Sequence, residues 1–411
     1  MNKNKQKHFS FLEVIIVVII TAVACGITTG LIFLNNSNLK GITYADLSNN
    51  KALRDFLEVY ASIITNYYDD IDENELIMSA INAMMSHLGD DYTNFLSKEA
   101  TEEMMRQLSG EYDGIGIQIV AGNLIYRVFE DSPAQEKGLM VGDQIIRING
   151  TEVHDHDTTD IAKLIRNSPN RVVRITVIRE TRELNFEVPI RSLIIPSIES
   201  KIITERNQKI GYIHIETFSA TTHTQFETAL KQMEKDGITS LIIDVRGNVG
   251  GYLIGATKIA DLFLARGRII YSLEDRNEIK SFVSNTSERR NYNIVVLGDR
   301  VSASASEILI AALRDSYGAR FVGETTFGKG KVQTTMDLDS GGMIKYTSAK
   351  WLTPNGLNID GVGLKPDFEI KPDYNRQPKD RNDEKGWQDF NDHLRRVYER
   401  QLQRAVELLA R

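Results

Sequence analysis

The chain has 411 residues, of which 26% are charged and 41% hydrophobic, and this composition is typical of folded globular domains. A chain of this length usually forms more than one domain, each with its own hydrophobic core. Its net charge of −7 at pH 7 does not favour nucleic-acid binding. The single cysteine, Cys25, excludes an intrachain disulfide and a cysteine-rich metal site.

Residues 1–36 predict a short cytoplasmic stub and a transmembrane helix. Lys3, Lys5 and Lys7 precede the apolar run Phe11–Leu34, which contains one charged residue, Glu13. At about 1.5 Å per residue, a helix over this run can cross a hydrocarbon core of about 30 Å, and it exceeds the apolar region of a cleaved signal, about 7–15 residues. The lysines predict a single-pass cell-membrane protein whose N-terminus is cytoplasmic and whose remaining domains are extracytoplasmic.

Residues 37–107 predict a polar stem and a helical N-terminal domain. Apolar residues recur at spacings of three and four between Leu53 and Ile64, which indicates an amphipathic helix. Asp72–His87 predicts a second helix, which ends at the turn Leu88–Tyr92. Such a helix pair can pack on another domain or on a second subunit, and it carries no evident chemistry.

Residues 108–192 change from helical periodicity to short strands. Ser132-Pro133-Ala134 begins a short helix, and Gln144–Ile148 is a strand that ends at the hairpin signal Asn149-Gly150. With the preceding Gly-Ile-Gly-Ile loop, the order of these motifs resembles a PDZ domain. The free N–H groups of such a loop can hold a terminal carboxylate while a peptide adds to the sheet edge. The implied peptide-binding residues are Gly114, Ile115, Gly116 and Ile117.

Within this region His154 and His156 form a His-x-His pair in a polar loop. We expect no metal there, because no third ligand is apparent.

Strands and helices alternate over residues 193–372, which predicts an α/β core, and residues 373–411 predict a charged helical tail with a packed apolar stripe. We expect the core strands to share one sheet. The predicted strands are Lys209–Ile215, Ser240–Val245, Tyr292–Leu297, Ala319–Val322, Gln333–Leu338 and Lys345–Leu352. The predicted helices are Thr222–Lys235, Tyr252–Leu264 and Ser304–Tyr317.

Ser304 is the candidate nucleophile, because it lies in a run of small hydroxyl residues that begins an apolar helix. Amides of a first helical turn lack intrahelical partners and point toward developing negative charge. The amide of Ala305 and that of Gly250, in a second glycine-rich turn, can therefore hold an oxyanion. The alternative is that these serines only cap the helix.

Lys329 is the candidate general base. A lysine with its ordinary pKa of about 10.4 is protonated at neutral pH, but burial lowers that pKa. Gly328 and Gly330 permit a sharp loop, and the amide of Gln333 can orient the amine without adding a charge. Lys331 is the rival base, and in an extended segment it should point away from Lys329. The alternative for Lys329 is a solvated loop lysine.

Three motifs resemble those of the carboxyl-terminal processing (tail-specific) proteases of serine peptidase family S41. They are Ser-Ala-Ser-Ala-Ser-Glu-Ile-Leu at 302–309, Phe-Gly-Lys-Gly-Lys-Val-Gln at 327–333 and Asp-Val-Arg-Gly-Asn-Val-Gly-Gly at 244–251. Val249 occupies a position where the family usually has proline. The resemblance implies a crotonase/ClpP-like α/β core and no metal or cofactor. The implied roles are nucleophile for Ser304, general base for Lys329, orienting partner for Gln333, and oxyanion donors for Gly250 and Ala305.

These observations predict a membrane-anchored extracytoplasmic serine endopeptidase that cleaves proteins near their C-terminus, with a PDZ domain that binds their exposed tails. The resemblance also implies a homodimer formed through the terminal helices. One alternative is a PDZ adaptor that binds tails without cutting them. A second is a crotonase-like acyl-transfer enzyme, which would not explain the PDZ motifs or the anchor. The physiological substrate stays open.

Overall fold

The computed structural model describes residues 44–287 and 289–410, which form one unit up to Ile81 and a second unit from Asn82. The predicted mixed α/β multidomain architecture is confirmed. The predicted anchor, residues 11–34, lies outside this part of the chain. Among the residues that are described, no helix is both long enough and apolar enough to cross a bilayer.

Between residues 44 and 109, where the described part of the chain begins, there are four helices and one short strand. They are α1 (Tyr44–Asn49), α2 (Lys51–Asn66), α3 (Glu73–His87), β1 (Asn94–Leu96) and α4 (Lys98–Ser109). The predicted helices α2 and α3 are confirmed. Asn50 caps α2, since its Oδ1 accepts a hydrogen bond from the amide of Leu53 at 3.1 Å. The sequence did not predict β1, whose surroundings become important at the candidate site.

The PDZ region is a six-stranded antiparallel sheet with a separate two-stranded pair and two helices. Its core consists of fully buried aliphatic side chains, including Ile125, Ile145, Ile161 and Ile175. The elements are β2 (Glu111–Gly114), β3 (Ile117–Val120), β4 (Leu124–Val128), α5 (Pro133–Glu136), β5 (Gln144–Ile148), β6 (Thr151–Glu152), α6 (Thr158–Arg166), β7 (Val172–Arg179), β8 (Arg182–Pro189) and β9 (Arg191–Ile194).

The core that follows is built around a six-stranded sheet in the order β10–β11–β12–β15–β16–β19, parallel except for β10. Every residue of β12 is buried, as expected for a central parallel strand covered on both faces. The elements are β10 (Ile198–Glu205), β11 (Gln208–Ile215), α7 (Thr222–Lys235), β12 (Ser240–Asp244), α8 (Leu253–Asp261), β13 (Ile269–Glu274), β14 (Ile279–Val283), β15 (Asn293–Gly298), α9 (Ala305–Ala311), β16 (Arg320–Gly323), β17 (Lys331–Asp337), β18 (Met343–Leu352), β19 (Phe368–Glu369) and α10 (Glu384–Leu409).

The expectation of a single sheet is wrong. Strands β17 and β18 belong to a second, antiparallel sheet in the order β1–β18–β13–β14, with β17 also paired to β18. Strand periodicity reports which face of a strand is buried and not which strand lies beside it, so the two sheets could not be separated from the sequence.

Helix α10 covers one face of the parallel sheet, and the predicted apolar stripe of the tail is confirmed. Ala405, Leu408 and Leu409 pack against buried residues of the sheet, including Ile242 and Val295. The helix begins at Glu384, where the carboxylate of the capping residue Asp383 accepts the amide of Gly386 at 2.9 Å.

Candidate active site

The parallel sheet brings two loops together, because β12 and β15 are neighbours and their carboxyl ends meet at one edge of the sheet. The glycine turn Gly247–Gly251 follows β12, and the loop that carries Ser304 follows β15. A Cβ built on Gly250 would lie 2.9 Å from the Cβ of Ser304 and 3.2 Å from the amide nitrogen of Ala305. Only glycine fits this contact. The three residues predicted for the nucleophile and oxyanion donors are therefore adjacent.

Ser304 has a strained backbone, with φ 55° and ψ −113°, and it stands immediately before α9. A non-glycine residue in a sparsely populated conformation costs on the order of 1–3 kcal/mol and persists only where its surroundings hold it. Strained residues of this kind are concentrated at functional sites, where the unusual backbone conformation sets the direction of the side chain.

Asn248 attaches the glycine turn to the nucleophile loop. Its backbone carbonyl accepts the amide of Ala303 at 3.1 Å and the hydroxyl of Ser306 at 2.9 Å. Its side-chain Oδ1 accepts the amide of Gly250 at 2.8 Å. The Gly250 N–H therefore donates to Oδ1 of Asn248 in this conformation. An oxyanion would have to replace Oδ1 as the acceptor of this N–H.

Asp299 is a second connection between the two loops, and no motif in the sequence predicted it. Its buried carboxylate accepts the amide of Gly247 at 3.1 Å and that of Ser302 at 3.0 Å. The hydroxyl of Tyr398, on α10, donates to Asp299 at 2.9 Å. Arg246 also reaches α10, since it donates to the backbone oxygen of Tyr398 at 2.9 Å. The C-terminal helix thus supports the active-site loops.

Glu307 connects the nucleophile to the base loop. Its side chain is fully buried, and Oε2 accepts the amides of Ser304 at 2.8 Å and Lys329 at 2.9 Å. Oε1 accepts the amide of Gly328 at 2.7 Å and the hydroxyl of Thr326 at 2.5 Å. Burial raises the pKa of Glu307, and these four hydrogen bonds oppose the shift. One carboxyl group therefore sets the spacing of the two loops.

The two candidate bases differ in electrostatic environment. Burial lowers the pKa of Lys329, and the nearby positive charge of Lys345 lowers it further, while Glu307 opposes both. Lys331 has the opposite shift: Asp90, 3.0 Å from Nζ, raises its pKa. At neutral pH the neutral amine is therefore more populated in Lys329 than in Lys331.

The two lysines were predicted to point in opposite directions if their segment is extended, and that condition is not met at Lys329. Both amines lie over the ring of Tyr92, at 4.7 Å from the ring centroid for Lys329 and 5.5 Å for Lys331. Strand alternation begins only at Lys331, because Gly328 has a positive φ of 87° and the segment before β17 is a loop.

Gln333 was predicted to orient the amine of Lys329 by a hydrogen bond, and this bond is absent from the described residues. Its Nε2 donates to the hydroxyl of Thr347, across the β17–β18 pair, at 3.4 Å. Across the part of the chain that is described, no hydrogen bond joins Lys329 Nζ to Gln333 or to the hydroxyl of Ser304. The described conformation thus has the loop of Ser304 and the loop of Lys329 connected through Glu307, with no hydrogen bond between the two side chains.

A cavity of about 510 Å³ opens beside these residues. The lining residues are apolar except for two basic side chains and one phenol. They are Tyr92, Val249, Arg300, Val301, Ala303, Phe327 and Lys329. The side chains of Val249 and Phe327 are more than half exposed, so they are available to contact a bound chain.

The four predicted PDZ residues line a second, smaller cavity of about 120 Å³ together with Ala162 and Ile165 of α6. Gly116 has a φ of 86°, and a Cβ built there would lie 2.2 Å from the Cβ of Ser132. The loop between β2 and β3 therefore needs glycine at this position, and it borders a groove between a strand and a helix, as in peptide binding by strand addition.

Comparison with known proteins identifies three regions of the chain. A model described as peptidase family S41 matches residues 209–370, a PDZ domain model matches residues 124–179, and a model described as the activating protease CtpB N-terminal domain matches residues 31–100. A probable CtpA-like serine protease of Staphylococcus aureus (strain COL) is 32% identical over 379 residues, which cover 90% of this chain and 74% of that protein. A protein of the same description from Staphylococcus haemolyticus (strain JCSC1435) is 31% identical over 378 residues, with the same coverage.

Among solved structures, the photosystem II D1 C-terminal processing protease is 25% identical with a TM-score of 0.47, over 82% of this chain and 90% of that one. The family models define the class of the fold, a mixed α/β protease core of the S41 type together with a PDZ domain. The chain is a member of peptidase family S41, the family of the carboxyl-terminal processing serine proteases.

Proposed function

We propose that the chain is a Ser–Lys endopeptidase that cleaves proteins near their C-terminus. The observation that carries the proposal is the Glu307 carboxyl group, which accepts the amides of both Ser304 and Lys329 and so holds a strained serine and a half-buried lysine in one site. The lowered pKa of Lys329 supports its role as a base.

In the proposed mechanism the neutral amine of Lys329 takes the proton of the Ser304 hydroxyl as its oxygen attacks the scissile carbonyl. The amides of Ala305 and Gly250 hold the oxyanion, the latter after the turn releases Asn248. The Lys329 ammonium then protonates the leaving amine, and water, deprotonated by the same lysine, hydrolyses the acyl-enzyme. The hydrogen bond between serine and lysine is made when substrate binds, since catalytic contacts often tighten only in the complex.

Cleavage of a peptide with a free C-terminus tests this assignment. Ser304→Ala and Lys329→Ala should each lose nearly all turnover, because each removes a reacting group. Ser340→Ala and Lys371→Ala, at exposed positions, are the matched controls and should keep wild-type turnover. Wild-type turnover in either active-site variant would refute the assignment. Labelling of Ser304 by a serine-directed phosphonate separates the enzyme from a PDZ adaptor, which would not react.

The PDZ groove is proposed to bind the substrate tail through the amides of residues 114–117. Gly116→Val forces a side chain against Ser132 and should weaken binding of a tail peptide, while cleavage of a short peptide without the tail changes little. Gly122→Val is the matched control, because Gly122 also has a positive φ, of 79°, but has no atom within 4 Å of the added Cβ. Equal loss of tail binding in both variants would contradict the assignment.

Membrane anchoring and self-association complete the proposal. The run Phe11–Leu34 supports a single-pass anchor with the protease outside, so deletion of residues 1–36 should move the protein from the membrane fraction to the soluble fraction.

The apolar residues Phe56 and Leu57 of α2 are about half exposed, which supports a second copy as the partner of this helix. Phe56→Asp should then lower the mass measured by light scattering, and an unchanged mass would contradict it.

A further inference from the structure

The loop Asp90–Thr93, which precedes β1, lies against the base loop of the protease core. Strand β1 pairs antiparallel with β18, with Asn94 opposite Lys345 and Leu96 opposite Met343. Strand β18 in turn pairs with β17, which begins two residues after Lys329. The segment before the PDZ domain is therefore bound into the sheet that carries the base, although its sequence showed no catalytic motif.

Asp90 holds this loop in place through three side-chain hydrogen bonds. Its carboxylate accepts the hydroxyls of Thr93 and Thr347, both at 2.6 Å, and the amine of Lys331 at 3.0 Å. Burial would raise the pKa of Asp90, but these hydrogen bonds and the charge of Lys331 outweigh it and hold the pKa far below its ordinary range. Asp90 is thus an anion at every physiological pH, and Lys331 is its counter-charge.

Tyr92 lies between the anchored loop and the candidate base. Its ring centroid is 4.7 Å from Nζ of Lys329, and its side chain forms part of the wall of the cavity beside Ser304. Burial raises the pKa of the Tyr92 phenol, so the ring stays neutral where it covers the amine. On this side of Lys329 the ring occupies the space that water would otherwise fill.

We propose that Tyr92 is a positioning residue of the active site: its ring excludes water from the amine of Lys329, while Asp90 fixes the loop and binds the amine of Lys331. This inference rests on the proposed Ser–Lys mechanism. Water exclusion favours the neutral amine, and the face of an aromatic ring attracts an ammonium, so the two effects of Tyr92 oppose each other. We take exclusion to be the larger effect, because burial is the largest cause of the lowered pKa of Lys329.

Charged and titratable groups lie around Lys329 on several elements, and Arg300 lines the same cavity. Asp90 and Tyr92 lie on the loop before β1, and Glu307 lies on α9. The strands contribute Lys331 and Lys345, and Asp360 accepts the amide of the neighbouring Gly330 at 3.1 Å. A substitution of Tyr92 leaves all these charges in place, so its effect on the base reports the ring alone.

The test is the pH dependence of kcat/KM for the wild type, Tyr92→Phe and Tyr92→Ala. Tyr92→Phe keeps the ring and should keep the acidic limb of the profile. Tyr92→Ala admits water and should move that limb to higher pH, with kcat/KM at pH 7 falling about tenfold for each unit of the shift. A general loss of structure would lower the plateau without moving the limb. An unmoved limb, or one moved to lower pH, would overturn the proposal.

A second readout separates this inference from the mechanism on which it rests. In the Ser304→Ala background, the rate at which trace acetic anhydride acetylates Lys329, followed by mass spectrometry across pH, reports the state of the amine without any catalysis. Tyr92→Ala should shift this titration upward even if Ser304 were not the nucleophile. An unshifted titration overturns the role of Tyr92 and leaves the Ser–Lys assignment intact.

The role of Asp90 is tested on Lys331 in the same labelling experiment. Asp90→Asn removes the counter-charge, so acetylation of Lys331 should become faster at a given pH. Asp91→Asn is the matched control, since its side chain is exposed and next in the chain, and it should leave the labelling of Lys331 unchanged. Equal labelling of Lys331 in the wild type and in Asp90→Asn would overturn this part of the proposal.

Discussion

Removing the charge of Glu307 should damage both stability and catalysis. In Glu307→Gln one carboxylate oxygen becomes an NH₂ group, which cannot accept a hydrogen bond. If that group replaces Oε2, the amides of Ser304 and Lys329 lose their acceptor. A hydrogen bond to a charged group contributes about 1.5–3 kcal/mol, so two of them give about 3–6 kcal/mol. Relief from burying a charge offsets part of this loss, and we expect the free energy of unfolding to fall by about 2–4 kcal/mol.

The assay is urea denaturation together with kcat/KM on a short peptide. We expect kcat/KM to fall at least tenfold in the folded fraction of Glu307→Gln, because the nucleophile and base loops are no longer held by one group. Glu278→Gln, which removes a charge from the exposed turn before β14, should change neither quantity. Wild-type stability and wild-type kcat/KM in Glu307→Gln would refute the reasoning that this carboxyl group sets the site.

Three further predictions concern the oxyanion turn, the C-terminal helix and the base. Gly250→Ala places a Cβ 2.8 Å from the oxygen of Ala303 at a φ of 105°, so kcat should fall at least tenfold with KM little changed. Tyr398→Phe removes a hydrogen bond to Asp299 and should lower the free energy of unfolding by about 1–3 kcal/mol in urea titrations, whereas an unchanged value would exclude support from the helix. Because the pKa of Lys329 is lowered and only its neutral form accepts a proton, kcat/KM should rise with pH along a limb centred below the ordinary lysine value of about 10.4.

Regular elements of the core could be predicted well from local patterns. The helix Thr222–Lys235 and the buried strand after it were expected at nearly their observed bounds, because apolar periodicity reflects burial against a core. The π-helical turn Ala312–Tyr317 was expected as a plain continuation of the helix that follows Ser304. The periodicity of apolar residues does not distinguish α-helical hydrogen bonding from the wider π-helical hydrogen bonding.

Part of the candidate site could also be predicted from local sequence patterns. The residues around Ser304 and Gly250 lie in contiguous motifs, and neighbouring parallel strands bring such motifs to one sheet edge. Asp299 and Tyr92 could not be recognised, since each acts on a residue that is distant in the chain. An isolated aspartate or tyrosine carries no signal of its partner.

The residue types of the chemistry, and the order of the modules along the chain, follow from the amino-acid sequence by itself, because a nucleophile, a helix start and a glycine turn are each specified within a few consecutive positions. Which of the two lysines has a lowered pKa, where Gln333 directs its amide and which ring lies over the amine of Lys329 were decided only in the tertiary structure. The physical reason is that pKa values and side-chain partners depend on burial and on charges supplied by strands and loops that are distant in the chain.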